Sequence, residues 1–139
     1  MAIRSRRIEI SQNEDLNGGA GITWGFATAT DGNVQNRLPA NIVAVNFSGC
    51  TAKLAIRQGQ GANAPLLLLL TSTLSQITFG TYTDPTGATW GTITALVTNA
   101  QSAALPPGEW YFDLEVITAV GIQTYYVQGP CAVAATGTR

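Results

Sequence analysis

The run from Glu109 to Ile117, which follows the stiff turn Pro106–Gly108, constrains the fold of this chain more than any other segment. Its large apolar side chains occupy alternate positions, and these are Trp110, Phe112, Leu114 and Val116. The positions between them carry Tyr111, Asp113 and Glu115. A period of two residues is typical of an antiparallel strand with one buried face. The run therefore predicts a strand whose apolar side faces a core.

Short runs of this kind recur along the chain at intervals of about ten residues, separated by turn-forming residues, and no segment has the pattern of an amphipathic helix. This pattern predicts an all-β sandwich or barrel over residues 20–139, preceded by an extended N-terminal arm over residues 1–19. Arg6 to Ile10 is open to two interpretations, a short edge strand or part of the arm. Gly129-Pro130 is interpreted as a break between two strands. Asn99 to Leu105 predicts a single helical turn, capped by Asn99.

Charged residues make up 11% of the chain, against roughly 25% in an average soluble domain. Either uncharged polar residues keep the protein soluble, or partners cover part of its surface. The formal net charge of −1 argues against a nucleic-acid partner. The longest apolar run, Ala64 to Leu70, is too short to span a membrane, and no signal peptide is recognised. We therefore expect neither a nucleic-acid nor a membrane partner.

Three basic residues, Arg4, Arg6 and Arg7, cluster near the N-terminus. A solvated, frayed terminus would explain them. A functional interpretation is an arm that binds an acidic partner surface. The three arginines are candidate interface residues on that second interpretation.

Leu66 to Leu70 is an uninterrupted run of five leucines between Pro65 and a Thr/Ser cluster. A strand without polar alternation is predicted to be covered on both faces. One cover is the core, and the other is a subunit interface or an internal loop. Leu66, Leu68 and Leu70 are accordingly candidate interface residues.

Residues for catalysis are scarce, because the chain has no histidine. Asp113 and Glu115 lie two residues apart on one strand face, which is a first step towards the pair of carboxylates that a glycosidase uses. The simpler interpretation is an exposed strand face opposite Lys53 or Arg57. We predict no catalytic, cofactor-binding or metal-binding residue, and a protein that is not an enzyme.

The aromatic residues are divided between core and surface in the prediction. The tryptophans fall in alternating strand patterns and are predicted to belong to the core, and they are Trp24, Trp90 and Trp110. An exposed platform for carbohydrate would instead use tyrosines, and the candidates are Tyr111, Tyr125 and Tyr126. The two cysteines, Cys50 and Cys131, form no local motif and are interpreted as two buried thiols, with pairing left open.

Three stretches of the chain carry a resemblance to a known family. Asn46 to Arg57 has a small turn and Gly-x-Thr-Ala leading into a strand that ends in arginine. Gly91 to Glu115 and the close at Thr138-Arg139 are similar to the blocks that follow. Together they resemble an Ig-like domain of tailed-bacteriophage virion accessory proteins, similar to the N-terminal domain of phage baseplate upper proteins. The resemblance implies an antiparallel Ig-like or jelly-roll-like β-sandwich of about eight strands, and no catalytic residue.

The resemblance also implies a virion location. Baseplate upper proteins continue into a receptor-binding part, whereas this sequence ends at Arg139. We therefore expect a capsid decoration (cement) protein that bridges neighbouring major capsid subunits on the capsid surface. It would be made in the host cytoplasm and would form a homo-oligomer, a trimer or a dimer. The alternatives are a tail, neck or baseplate adaptor and a small carbohydrate-binding module.

Overall fold

The computed structural model describes residues 4–5, 8–12, 16–19, 21–29, 42–61, 63–85 and 87–135. Strands dominate these residues, and helix is limited within them to one short α-helix and one 3-10 turn. The strands are β1 (Arg4–Ser5), β2 (Ile8–Ser11), β3 (Ile22–Ala29), β4 (Ile42–Ala44), β5 (Thr51–Arg57), β6 (Leu66–Thr71), β7 (Ile77–Thr83), β8 (Thr89–Ala95), β9 (Gly108–Ile117) and β10 (Gln123–Ala134). The helices are Leu16–Gly19, in 3-10 geometry, and α1 (Asn99–Ala104). The predicted all-β class is confirmed.

Two sheets pack face to face. The larger has the order β1-β10-β9-β5-β6, with β2 also paired to β10, and the smaller has the order β4-β3-β8-β7. The orders β6-β5-β9-β10 and β3-β8-β7 correspond to strands C′CFG and BED of an immunoglobulin-like sandwich. The chain is therefore a β-sandwich, and of the two types expected its strand order matches the Ig-like one.

The core lies between the inner faces of the two sheets. Phe112, Leu114 and Val116 of β9 are buried there, as their alternation predicts. The Phe112 ring stacks on that of Trp24 from the opposite sheet, with centroids 6.0 Å apart and planes at 26°. Stacked aromatic rings in a core add to the stabilisation from buried area. This pair joins the two layers at their centre.

Trp110 begins the same strand but is only partly buried. Its indole Nε1 donates a hydrogen bond of 2.8 Å to the Pro106 carbonyl, so the ring folds back over the turn before β9. A Cβ atom on Gly108, where φ is +150°, would lie 2.8 Å from the indole Cζ2. Glycine is therefore required for this turn to close against the tryptophan.

The N-terminal strands belong to the sandwich. β1 and β2 run parallel to β10 along one edge of the larger sheet, and Ile8 and Ile10 are buried in the core. The edge-strand interpretation of this segment is therefore correct, and where it is described the segment forms part of the domain. The prediction of a separate extended arm over residues 1–19 is not met at β2, because two buried isoleucines anchor it.

β10 is continuous through Gly129-Pro130, so the predicted break there is wrong. Pro130 pairs with Tyr111 of β9, and on its other side it falls between the segment that pairs with β1 and the segment that pairs with β2. Proline has no backbone N–H to donate to a neighbouring strand, and this normally keeps it out of central strand positions. Pro130 lies between the stretches of β10 that pair with β1 and β2, where no described residue pairs with it on that side, so no ladder hydrogen bond is lost there.

The short helix α1 is present where the sequence predicts it, but its cap differs. Thr98 is the N-cap, and its side chain accepts a hydrogen bond from the Gln101 backbone N–H. The Gln101 side chain accepts in return from the Thr98 backbone N–H, which completes a capping box. The expectation that Asn99 caps the helix is wrong by one residue.

Candidate interaction surfaces

The outer face of the larger sheet carries the charged residues of the central strands, and we call it the charged face: Lys53, Arg57, Asp113 and Glu115. Strand register places Lys53 directly opposite Glu115, and Arg57 directly opposite Tyr111. Glu115 also accepts a hydrogen bond of 3.2 Å from Gln123. The two carboxylates therefore lie among neutralising and hydrogen-bonding neighbours on an open sheet, as the simpler interpretation predicts.

Asp113 is a partly buried carboxyl on this face. Burial raises the pKa of the Asp113 carboxyl above its ordinary value, the Arg57 guanidinium partly offsets the rise, and Glu115 adds to it. Desolvation penalises the charged form more than Arg57 stabilises it. The shift reflects the concave surroundings of Asp113.

Those surroundings form a pocket of about 390 Å³ between the loop after β5 and strands β9 and β10. Its charged lining residues are Arg57 and Asp113, with Tyr111 and Gln128 beside them. Arg57 donates from one terminal nitrogen to the Ala64 carbonyl at 3.2 Å, while its Nε is buried without a hydrogen-bond acceptor. The pocket thus offers a donor and an acceptor close together, which suits a carboxamide or a peptide group of a partner.

The leucine run lies at the edge of the larger sheet, where β6 pairs with β5 and no described residue pairs with its other side. Leu70 is fully buried in the core, so it presents nothing to a partner, and Leu68 packs partly against that core. Leu66 and Leu69 are 47% and 40% exposed, and we call these two the leucine edge. The predicted second cover of this strand is therefore not supplied by the described residues.

One residue of the basic cluster, Arg4, lies at the opposite edge of the same sheet. Arg4 is in β1, where its backbone pairs with Val127 of β10. Arg6 and Arg7 lie outside the described residues. Four inter-strand spacings separate β1 from β6, which places the two edges about 19 Å apart. The backbone of Arg4 and the leucine edge therefore lie at opposite edges of the larger sheet.

The tyrosines divide in a way that the sequence does not predict. Tyr111 and Tyr125 are exposed on the charged face. Tyr126 turns inward, and its ring meets Phe26 edge-on with centroids 5.1 Å apart. A β-bulge between Tyr125 and Val127 leaves Tyr126 without a partner on β9. Tyr126 is therefore not an exposed platform.

The outer face of the smaller sheet, which we call the threonine face, is different in chemistry. Its threonines are Thr23, Thr78, Thr92 and Thr94. Thr23 and Thr94 share a hydrogen bond of 2.8 Å. Tyr82 and Trp90, which are direct cross-strand neighbours, flank a groove of about 600 Å³ on this face.

Trp90 is therefore not a core residue, and that prediction is wrong. The sequence did contain the signal, because Ile93 and Ala95 point into the core and parity along β8 places Trp90 on the other side with Thr92. Its indole Nε1 donates a hydrogen bond of 3.0 Å to the Asp84 carboxylate. Asp84 also accepts from the Ala88 backbone N–H, so the turn between β7 and β8 holds the ring in place.

Further findings bear on function. The described residues contain no group of three or more His, Cys, Asp or Glu side chains that could hold a metal ion. Cys50 and Cys131 form no disulfide, and Cys131 is buried whereas Cys50 is partly exposed. Over the same part of the chain, no helix has the length and apolar character needed to cross a membrane.

No known family profile matches the chain, and no curated protein matches it.

Proposed function

We propose that this chain is a structural protein of a tailed-bacteriophage virion, a decoration protein that binds the capsid surface and bridges neighbouring major capsid subunits. The observation that carries the proposal is the leucine edge, on an apolar strand that pairs with β5 on one side only among the described residues, in a sheet whose opposite edge includes Arg4. The sequence resemblance to phage sandwich domains and the low charge content support the same function.

An open strand edge with exposed leucines attracts other chains unless it is covered. Burying one leucine contributes roughly 1.5–3 kcal/mol, so a partner on Leu66 and Leu69 would gain appreciably. Because the leucine edge and Arg4 lie at opposite edges of one sheet, the protein can contact two different neighbours at once. Contact between unlike edges of successive copies is also the geometry that closes into a ring, such as a trimer.

The first test is assembly in solution. We expect the wild-type protein to be oligomeric by light scattering after size exclusion, and the double variant Leu66→Thr/Leu69→Thr to dissociate. Leu74→Thr is the matched control, since Leu74 is 70% exposed but lies in the turn after β6. A monodisperse wild-type monomer with no affinity for capsids would contradict the proposal.

The second test is location. Empty capsids of a phage that encodes the chain are incubated with the protein and labelled with immunogold. We expect label on the shell, and its loss for the triple variant Arg4→Ala/Arg6→Ala/Arg7→Ala. Substitutions are preferable to deletion of residues 1–10, because deletion would also remove the buried Ile8 and Ile10. Label at the tail would contradict the capsid role and select the adaptor alternative.

A further inference from the structure

The virion contacts proposed above do not involve the groove on the threonine face. It is lined by Thr23, Gly25, Thr81, Tyr82, Trp90 and Thr92. Its volume of about 600 Å³ falls within the roughly 300–1,000 Å³ of small-molecule sites. From these residues we propose that the groove binds a neutral saccharide. The inference does not depend on the virion assignment.

Two aromatic side chains give the groove its walls. Tyr82 is 56% exposed, and its cross-strand neighbour Trp90 is half-buried. Trp90 is held by its hydrogen bond to Asp84, so little side-chain entropy is lost when a ligand meets the ring. Rigid aromatic surfaces of this kind pack against the apolar face of a pyranose ring.

The floor of the groove is open because a glycine lies beside Thr92. Gly25 of β3 is the register partner of Thr92 and lines the groove with it. A Cβ atom on Gly25 would lie 3.5 Å from the Trp90 Cβ, in ordinary contact, so the position tolerates alanine without a clash. Glycine there leaves the side of the indole uncovered.

The chemistry of the lining favours a sugar over other ligands. None of the six lining residues is charged, so a charged ligand would lose its hydration without gaining an opposite charge. Threonine and tyrosine hydroxyls both donate and accept, as sugar hydroxyls do. A purely apolar ligand would leave those hydroxyls unpaired.

A proline-rich peptide is the nearest competitor, since such segments also bind aromatic grooves. Its unpaired groups are backbone carbonyls, which need donors. The strongest donor nearby, the Trp90 indole N–H, is already bonded to Asp84. The sugar is therefore the better match.

The experiment is a titration of the ¹⁵N-labelled protein, followed by NMR. The probes are maltose, cellobiose, lactose and N,N′-diacetylchitobiose, with hexaproline as the competing ligand. We expect at least one saccharide to shift amide signals of β3, β7 and β8, with a dissociation constant on the order of 1 mM. Trp90→Ala should weaken binding about tenfold or more, and Tyr82→Ala about threefold to tenfold.

Gly25→Ala tests the floor of the groove, and it should weaken binding while leaving the rest of the spectrum unchanged. Tyr125→Ala, on the other sheet, is the control and should bind as the wild type does. If Trp90→Ala fails to fold, Tyr82→Ala decides the matter, since that side chain is largely exposed. Absence of any saccharide shift, an unchanged dissociation constant in Tyr82→Ala, or binding of hexaproline alone would overturn the inference.

Discussion

The charged face and the threonine face lie on opposite sides of one core and differ in almost every property. The charged face carries Lys53, Arg57, Asp113 and Glu115 and ends at the leucine edge. The threonine face presents hydroxyls, glycines and two aromatic rings, and its groove is lined by uncharged residues. The comparison indicates that the two sheets of one small sandwich can serve different kinds of partner.

The two faces differ because different groups on each of them lack an interaction partner. On the charged face a buried Arg57 Nε lacks an acceptor, the Asp113 carboxyl is partly desolvated, and β6 lacks a neighbour among the described strands. The Arg57 Nε is buried, but a protein partner can supply peptide and side-chain atoms to Asp113 and to the open edge of β6. On the threonine face the polar turn already holds Trp90, and what remains open is a surface for a small ligand.

The largest expected effect is on the core that both faces share. Phe112→Ala removes the ring stacked on Trp24 and should lower the free energy of unfolding by about 3–5 kcal/mol, measured by denaturant titration. Tyr111→Ala, one residue away on the exposed side of β9, should change it by about 0.5 kcal/mol or less. Equal effects of the two substitutions would mean that the faces of β9 are assigned wrongly.

A pair of glycines on the smaller sheet tests which side of that sheet is outward. A Cβ atom on Gly91 would run into the Val45 carbonyl oxygen, so Gly91→Ala should destabilise by about 1–3 kcal/mol. Gly25→Ala, on the threonine face, should leave stability within about 1 kcal/mol of the wild type or raise it slightly. Thermal unfolding of the two variants side by side measures the contrast, and a reversed order would exchange the inner and outer faces.

The smallest expected effect concerns charge. Because the folded pKa of Asp113 is raised, the folded state holds the proton more tightly than the unfolded state, and this contribution to stability is lost as the pH rises. Asp113→Asn should therefore stabilise the protein at neutral pH, by less than about 1 kcal/mol given solvent screening. The gain should shrink below about pH 4, where an unfolded aspartate is protonated. A variant less stable than the wild type at neutral pH would show that attraction to Arg57 outweighs desolvation.

Features that depend on residues close together in the sequence, such as strand alternation and helix capping, could be predicted from the sequence. Alternation in β9 identified Phe112, Leu114 and Val116 as core, and the same parity rule applied to β8 would have placed Trp90 outside. Thr98 followed three residues later by Gln101 was also a readable capping-box signal.

Other features depend on contacts between distant segments. Pro130 is accommodated within β10 because it lies between the stretch that pairs with β1 and the stretch that pairs with β2. No local pattern near residue 130 encodes those pairings. The bulge that turns Tyr126 inward, and the burial of Leu70 while Leu69 stays exposed, likewise follow from strand pairing. The groove at Trp90 combines Gly25 of β3, Tyr82 of β7 and Trp90 of β8, which only sheet register brings together.

Assembly is proposed to use the larger sheet and to leave the threonine face free, and hydroxyl-radical footprinting of the protein diluted to monomer and of the capsid-bound protein tests this proposal. Mass spectrometry would measure oxidation at Leu66 and Leu69 and at Tyr82 and Trp90, all of which have exposed or half-buried side chains in the isolated chain. We predict that Leu66 and Leu69 are protected in the capsid-bound protein relative to the protein diluted to monomer, and that oxidation of Tyr82 and Trp90 is the same in both. Protection of Tyr82 and Trp90, with the leucines still oxidised, would contradict the claim.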